Sequence, residues 1–271
     1  MSTITQPTFE TLLEYAYSKR YLVDQDATFV EFVVTFNERA LLLGDQRVYD
    51  DPYMLVQTVS GSQGACFMNL GDTKDTDVEG VVGKPALEVA STVPRHVGIA
   101  LLDAYYQLLN IAEGIIPSET LFFNGLGHEK SLQRAKKIIE LAQIEKGVKV
   151  AMIGVISDIV KEALDKGASI KLADFGMYGA ESFGLPIEKD ATQFINWADV
   201  VIMTGNTLKT RTTDSLLENI SKNNKRILVY AMTGSNIAPR YLRYGAHTVT
   251  CESFPYYWYA NVASCMKIYR A

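Results

Sequence analysis

Short apolar runs recur through the second half of the chain, each followed by room for a helix and each ending on small polar residues. Lys149–Ile153 (KVAMI) closes on Gly154, and Ser169–Ala173 (SIKLA) closes on Asp174. Residues 200–203 (VVIM) close on Thr204 and Gly205, and residues 226–232 (RILVYAM) on Thr233, Gly234 and Ser235. Between the runs, residues 131–141, 157–166 and 213–219 carry helical spacing, with Ser157 as a helix start and Gly167 as a stop. A further short run, residues 247–250, comes last. Continuous apolar runs read as strands buried on both faces, and helix-length connections between them predict parallel pairing through right-handed crossovers. The pattern predicts a Rossmann-like parallel-sheet domain over residues 121–271.

An open α/β sheet binds ligands at the carboxyl ends of its strands, where the strand order reverses. The predicted ends supply Gly154 and Ser157, then Asp174 and Phe175, then Thr204, Gly205, Asn206 and Thr207, then Thr233, Gly234 and Ser235. Glycine lets a ligand approach the backbone, and hydroxyls and amides bind it without fixed charge. The same residues also serve plain turns and helix caps, so one such end says little, whereas four together predict a pocket. An acid about 20 residues after a strand-end glycine is where a ribose is held in dinucleotide sites, and Gly154 and Asp174 have that spacing. The first turn, however, reads Gly154-Val155-Ile156-Ser157-Asp158, which presents apolar side chains and an acid where a pyrophosphate would sit. NAD is therefore not expected, while S-adenosylmethionine, which has no pyrophosphate, stays open. Asp174 as a turn residue bonding its own backbone is the plainer alternative. Asp174-Phe175-Gly176 also spells the kinase magnesium motif, but no other kinase motif accompanies it.

The first half reads differently. Residues 9–19 have helical spacing, residues 28–36 and the run from Arg47 onward into residues 53–59 are β-rich, and Gly44-Asp45 between them suits the turn of an antiparallel ribbon. Residues 61–70 are a third extended candidate, residues 71–83 a polar loop, and residues 94–110 a long apolar helix ended by Gly114 and Pro117. This is an α+β domain over residues 1–120.

Composition narrows the partners. With 26 Lys+Arg against 31 Asp+Glu and a net charge of −5, the chain lacks the basic surplus that phosphate neutralisation needs, so no nucleic-acid partner is expected. No apolar run approaches the roughly 20 residues of a membrane span. No membrane partner or secretory signal is expected, and three cysteines among 271 residues fit a reducing, cytoplasmic setting. None of His96, His128 and His247 lies within a helical turn of another. His247 and Cys251, four apart on a strand, would be about 13 Å apart at ~3.3 Å per residue, so no protein-held metal is expected. The run Phe254-Pro255-Tyr256-Tyr257-Trp258-Tyr259, with Tyr178 and Phe183, suits a stacking wall or cation cage; packing of a C-terminal helix or a homodimer interface is the plainer reading. His128 and Glu129 are conceivable at the domain junction, with a helix start as the simpler role.

Three segments resemble a known family. Residues 95–104 (RHVGIALLDA), 200–217 (VVIMTGNTLKTRTTDSLL) and 232–245 (MTGSNIAPRYLRYG) are similar, in order and spacing, to motifs of the "putative heavy-metal chelation" family. The resemblance implies an enolase N-terminal-like domain followed by the Rossmann-like domain, with the site in the cleft between them. This chain departs from the family pattern at Asp103 and Arg211, where Asn is usual, and at Ser235-Asn236, where a proline is missing. The implied function is binding or processing of a small polar organic molecule, a metal chelator or its precursor. Residues 204–207 and 233–236 would hold it, and any metal would arrive already chelated. A nucleoside- or S-adenosylmethionine-dependent alkyl transfer or cyclisation, with Asp174 on the ribose, is the alternative, and a non-enzymatic scaffold the third reading. No acid, base or nucleophile is assigned.

Overall fold

The computed structural model describes residues 6–41, 48–69, 78–253 and 262–271. The first helix, α1 (Phe9–Ser18), begins at Thr8, whose Oγ1 accepts the Thr11 N–H at 3.1 Å. Capping of this kind satisfies one of the free N–H groups of a first turn. Strands β1 (Val30–Leu41), β2 (Val48–Thr58) and β3 (Gln63–Phe67) form an antiparallel sheet, with Leu41 opposite Val48. The Gly44-Asp45 turn and the aromatic run of residues 254–259 lie outside the described residues. After the short α2 (Ala86–Val89) comes α3 (Arg95–Ala112), in which 13 of 18 residues are buried, so the helix is covered on more than one side.

Gly64 explains how one side is covered. A Cβ there would lie 2.2 Å from both Ala100 O and Ala104 N of α3, so only glycine lets β3 come this close. The other side of α3 meets the second half. Asn110 Oδ1 accepts from Arg240 Nη2 at 2.7 Å, Arg240 pairs with Glu113, and the Arg240 guanidinium stacks 5.0 Å from the Tyr106 ring.

The second half runs β4 (Glu119–Phe123), α4 (Gly127–Leu141), β5 (Lys149–Ile153), α5 (Ser157–Asp165), β6 (Ser169–Ala173), β7 (Glu181–Ser182), β8 (Leu185–Glu188), α6 (Thr192–Ile195), β9 (Val200–Thr204), α7 (Asn206–Lys209), α8 (Thr213–Lys222), β10 (Arg226–Ala231), β11 (Thr248–Glu252) and β12 (Ser264–Arg270). They make one sheet ordered β4-β12-β11-β10-β9-β5-β6-β8-β7. Pairing is parallel from β11 to β6 and on to β8. It is antiparallel at β11/β12, β12/β4 and β7/β8. The chain is thus a mixed α/β protein with a large, mostly parallel sheet and a small antiparallel one.

Two features depart from the sequence reading. Residues 264–270 form a strand rather than part of a C-terminal helix, because the link after β11 is too short for the crossover a parallel return needs and the chain comes back antiparallel. The β4 strand was not visible as a strand because its side chains are half-exposed at the sheet edge. One hydrophobic core joins the halves, with Leu12, Met54, Tyr105 and Tyr106 in the same cluster as Val201, Met203, Ile237 and Tyr241. A second core, including Ile138, Ile159 and Val160, packs α4 and α5 on the opposite face of the large sheet.

Candidate functional site

Strand order reverses at β5, which has β6 on one side and β9 on the other. Gly154, just past β5, has φ +84°, and a Cβ on it would fall 2.2 Å from Thr204 Oγ1 at the end of β9. Thr204 Oγ1 is buried and has no hydrogen-bond partner among the described residues. The next turn is tied down from within: Asp174 Oδ2 accepts the Val155 N–H at 2.9 Å, and Oδ1 accepts those of Gly176 at 2.8 Å and Met177 at 3.1 Å. Both carboxylate oxygens therefore serve the backbone of two turns, the arrangement expected of a turn residue. Ser157 is the first residue of α5 and is half-buried. Phe175 and Tyr178 stand outside this crevice, 51% and 61% exposed.

The other predicted residues gather elsewhere, on the seam with the first half. Thr207 Oγ1 donates to Thr204 O and accepts from Thr213 Oγ1, both at 2.9 Å. Thr233 Oγ1 donates to Asn206 Oδ1 and accepts the Phe67 N–H, again both at 2.9 Å. Gly205 sits where a Cβ would be 2.0 Å from Thr233 O. Gly234 N–H donates to Ala65 O at 3.0 Å, and Asn236 Nδ2 to Gln63 O at 2.8 Å.

At the centre of the seam is Asp103 of α3, fully buried. Its Oδ1 accepts the Asn236 N–H at 2.7 Å and the Ile237 N–H at 3.1 Å, while Oδ2 accepts the Ala65 N–H at 3.0 Å. Consecutive N–H groups at a strand end make a nest suited to an anion, and here the anion is the protein's own. Burial pushes the Asp103 carboxyl up to about 7, against the downward pull of the backbone N–H groups of Ala65, Asn236, Ile237 and Ser235. Sequence reasoning noted Asp103 only as a departure from a motif. The available signal was an acid in the middle of an otherwise apolar helix.

The seam opens into a cavity of about 240 Å³ between α1 and α3 on one side and α7 and α8 on the other. Glu10, Arg95, Arg211 and Asp214 line it, with Thr8 and Thr213 between them. Arg95 crosses the seam: its Nη1 pairs with Glu10 at 2.9 Å, and its Nε and Nη2 reach Leu208 O at 3.3 and 3.1 Å. Arg211, exposed in the turn between α7 and α8, has φ +60°, an uncommon conformation for a side-chain-bearing residue. The first turn of α8 adjoins it, and the side chain of Thr212 makes no capping bond there. Two guanidiniums, two carboxylates and two hydroxyls around one space suit a polar ligand with charges of both signs. Apart from Arg211, noted only as a departure from the family motif, the sequence did not single out these residues, because α1, α3 and the segment running from the α7–α8 turn into α8 are distant in the chain.

Among the described residues, no group of three or more His, Cys, Asp and Glu is placed to hold a metal ion. His247 Nδ1 accepts the Ile227 N–H at 3.3 Å, and Cys251 lies further along the intact strand. Glu129 accepts the Leu126 N–H at 2.8 Å, which places it at a helix start. A buried polar cluster also lies on the α4 face of the sheet, where Glu252 pairs with Arg134 and accepts from Tyr230 Oη at 2.7 Å and Ser264 Oγ at 2.9 Å. No helix among the described residues is long and apolar enough to cross a membrane.

Fold and seam together define a two-sheet α/β protein whose smaller sheet is docked, through α3, against the strand ends of the larger. Residues 137–249 match the model of the family DUF364, described as "Putative heavy-metal chelation", so the resemblance read from the sequence is borne out. A DUF364 protein of unknown function from Desulfitobacterium hafniense DCB-2 is similar over 96% of this chain and 99% of its own, with 15% identity and a TM-score of 0.61. Another, from Pyrococcus horikoshii, is similar over 97% and 99%, with 14% identity and a TM-score of 0.57. At such identities the likeness is one of fold. No curated protein matches the chain.

Proposed function

We propose that this protein binds a small polar organic molecule, a metal-chelating compound or its precursor, in the cavity between its two halves. The observation that carries the reading is the convergence of Arg211, Asp214, Glu10 and Arg95 on one space of about 240 Å³. A ligand carboxylate would meet Arg211 and the first-turn N–H groups of α8, while an amine would meet Asp214. The family description supplies the metal-chelating character. Residues 204–207 and 233–236 do not line the cavity; Thr207 and Thr233 tie the turns after β9 and β10 together, and the Asn236 N–H fastens them to Asp103 of α3. The S-adenosylmethionine alternative gains nothing from Asp174, whose carboxylate is engaged by three backbone N–H groups.

The test is calorimetry and thermal shift with citrate and L-histidine, each alone and as its Ni(II) complex. At least one of these four probes binds and raises Tm. Arg211→Ala weakens that probe by about tenfold to a hundredfold, the range for one charge-assisted hydrogen-bonding partner. Binding that Arg211→Ala leaves unchanged would remove the cavity from consideration.

A further inference from the structure

Outside the cavity, the antiparallel return of the chain brings two cysteines together that lie 14 positions apart in sequence. The β11/β12 register sets Cys251 directly opposite Lys267, and Glu252 opposite Met266. Side chains alternate along a strand, so Cys251, Lys267 and Cys265 share one face of the sheet, while Glu252 points to the other. Cys251 and Cys265 are thus diagonal neighbours, and both border a small crevice with Ser235, Glu252, Ser253 and Lys267. Cys251 is buried, with 4% exposure, and Cys265 is partly exposed. Neither thiol makes a hydrogen bond among the described residues, unlike Cys66, whose Sγ donates to Phe67 O at 3.3 Å.

We propose that Cys251 and Cys265 form a two-thiolate site for a soft monovalent cation, Cu(I), with Lys267 balancing its charge. Diagonal positions on paired strands lie about 7–8 Å apart, beyond the roughly 4.4–6.8 Å between α-carbons that a disulfide needs, and both thiols are free. Two metal–sulfur bonds of about 2.3 Å each, the zinc–thiolate value, bridge a wider gap than one sulfur–sulfur bond of about 2.0 Å. Thiolates select Cu(I) over hard cations, and Glu252, which also borders the crevice, projects by strand alternation to the opposite face, where Arg134, Tyr230 and Ser264 engage its carboxylate. On binding, each S–H bond breaks and releases its proton to solvent, each sulfur bonds the metal, and copper stays in the +1 state. The resulting bis-thiolate complex has one negative charge, and the Lys267 ammonium faces it. This site is independent of the interdomain cavity and of any ligand held there.

The experiment is anaerobic competition for Cu(I) between the reduced full-length protein and bicinchoninate, read as loss of the coloured copper–bicinchoninate complex. The wild type withdraws one Cu(I) per chain, and Cys66→Ala does the same. Cys265→Ser and Cys251→Ser lose the withdrawal, and Lys267→Glu weakens it by about tenfold, as for other groups outside the ligand sphere. Cys251 is buried and its replacement can disturb the fold, so Cys265→Ser, with circular dichroism as a check on folding, is the deciding variant. Failure of the wild type to withdraw copper, or unchanged affinity in folded Cys265→Ser, overturns the proposal.

Discussion

The strand ends of the large sheet fall into two groups, each carrying the glycine and polar residues of a binding turn but in different surroundings. The turns after β9 and β10 are buried against β3 and α3, and Thr233 Oγ1, the Asn236 side-chain amide and the N–H groups of Asn236 and Ile237 bond across that contact. The turns after β5 and β6 are tied to each other through the Asp174 carboxylate, with Phe175 and Tyr178 exposed beside them. Gly, Thr, Ser and Asn at a strand end therefore signal a backbone that must be satisfied closely. They do not say whether a ligand, a neighbouring turn or another part of the chain satisfies it. In the first group the partner is the Asp103 carboxyl delivered by α3, and the cavity opens one helix further out.

If the seam carries the fold, its closest approach is its most sensitive point. Gly64→Ala would drive a methyl group into the backbone of α3, where neither Ala100 O nor Ala104 N can move without shifting the helix. A loss of about 3 kcal/mol or more is expected, seen as a lower midpoint in urea, with β3 parted from α3. A loss below about 0.5 kcal/mol would mean that the two elements are not tightly packed in solution.

Asp103→Ala comes next. It strands buried N–H groups on Ala65, Asn236 and Ile237, with an expected cost of about 2–3 kcal/mol. Formate should rescue the variant and not the wild type, with Tm rising as formate concentration rises. The pH dependence has a definite sign. Burial pushes the folded carboxyl up to about 7, above the ordinary aspartate value of 3.8, so its stabilisation is complete below about pH 4 and is lost as pH rises through about 7. The cost of Asp103→Ala is therefore larger at about pH 5 than at about pH 8. Equal costs at the two values would show that the N–H nest, not burial, dominates the carboxyl.

Much of the fold was legible in the sequence because buried parallel strands are continuous apolar runs, and β5, β6, β9 and β10 lie where those runs lie. Strands β4 and β12 were not, since an edge strand and an antiparallel return share the alternating pattern of many surface segments. The cavity was less legible still. Glu10, Arg95 and the segment of residues 211–214 stand far apart in the chain, and only the docking of α1 and α3 on α7 and α8 brings them together. Asp103 was visible as an acid among apolar neighbours, but its three N–H partners come from β3 and the turn after β10, which no local pattern links to α3. Sequence periodicity reports which face of an element is buried. It does not report which element buries it.

On the open side, Asp174→Ala tests whether that carboxylate has any role beyond its turns. Losing three backbone hydrogen bonds at a partly exposed site should cost about 1 kcal/mol, close to the loss of a helix cap. S-adenosylmethionine should leave Tm unchanged in both wild type and variant. A Tm increase in the wild type that vanishes in Asp174→Ala would return the ribose role to this residue and erase the contrast between the two groups of turns.

The smallest effect is expected where the contrast is sharpest. Phe175 and Tyr178 are about half or more exposed and lie beyond the Asp174 turn, so Phe175→Ser and Tyr178→Ser should each change stability by less than about 0.5 kcal/mol. The seam cannot tolerate one added methyl group, whereas this edge should tolerate losing a whole ring. Urea denaturation of the two variants, with their masses followed by light scattering, measures both parts of the claim. A larger loss of stability, or a drop in mass on substitution, would mean that a second chain covers these rings. The turns after β5 and β6 would then be buried as the turns after β9 and β10 are, by a neighbouring molecule in place of the protein's own first half.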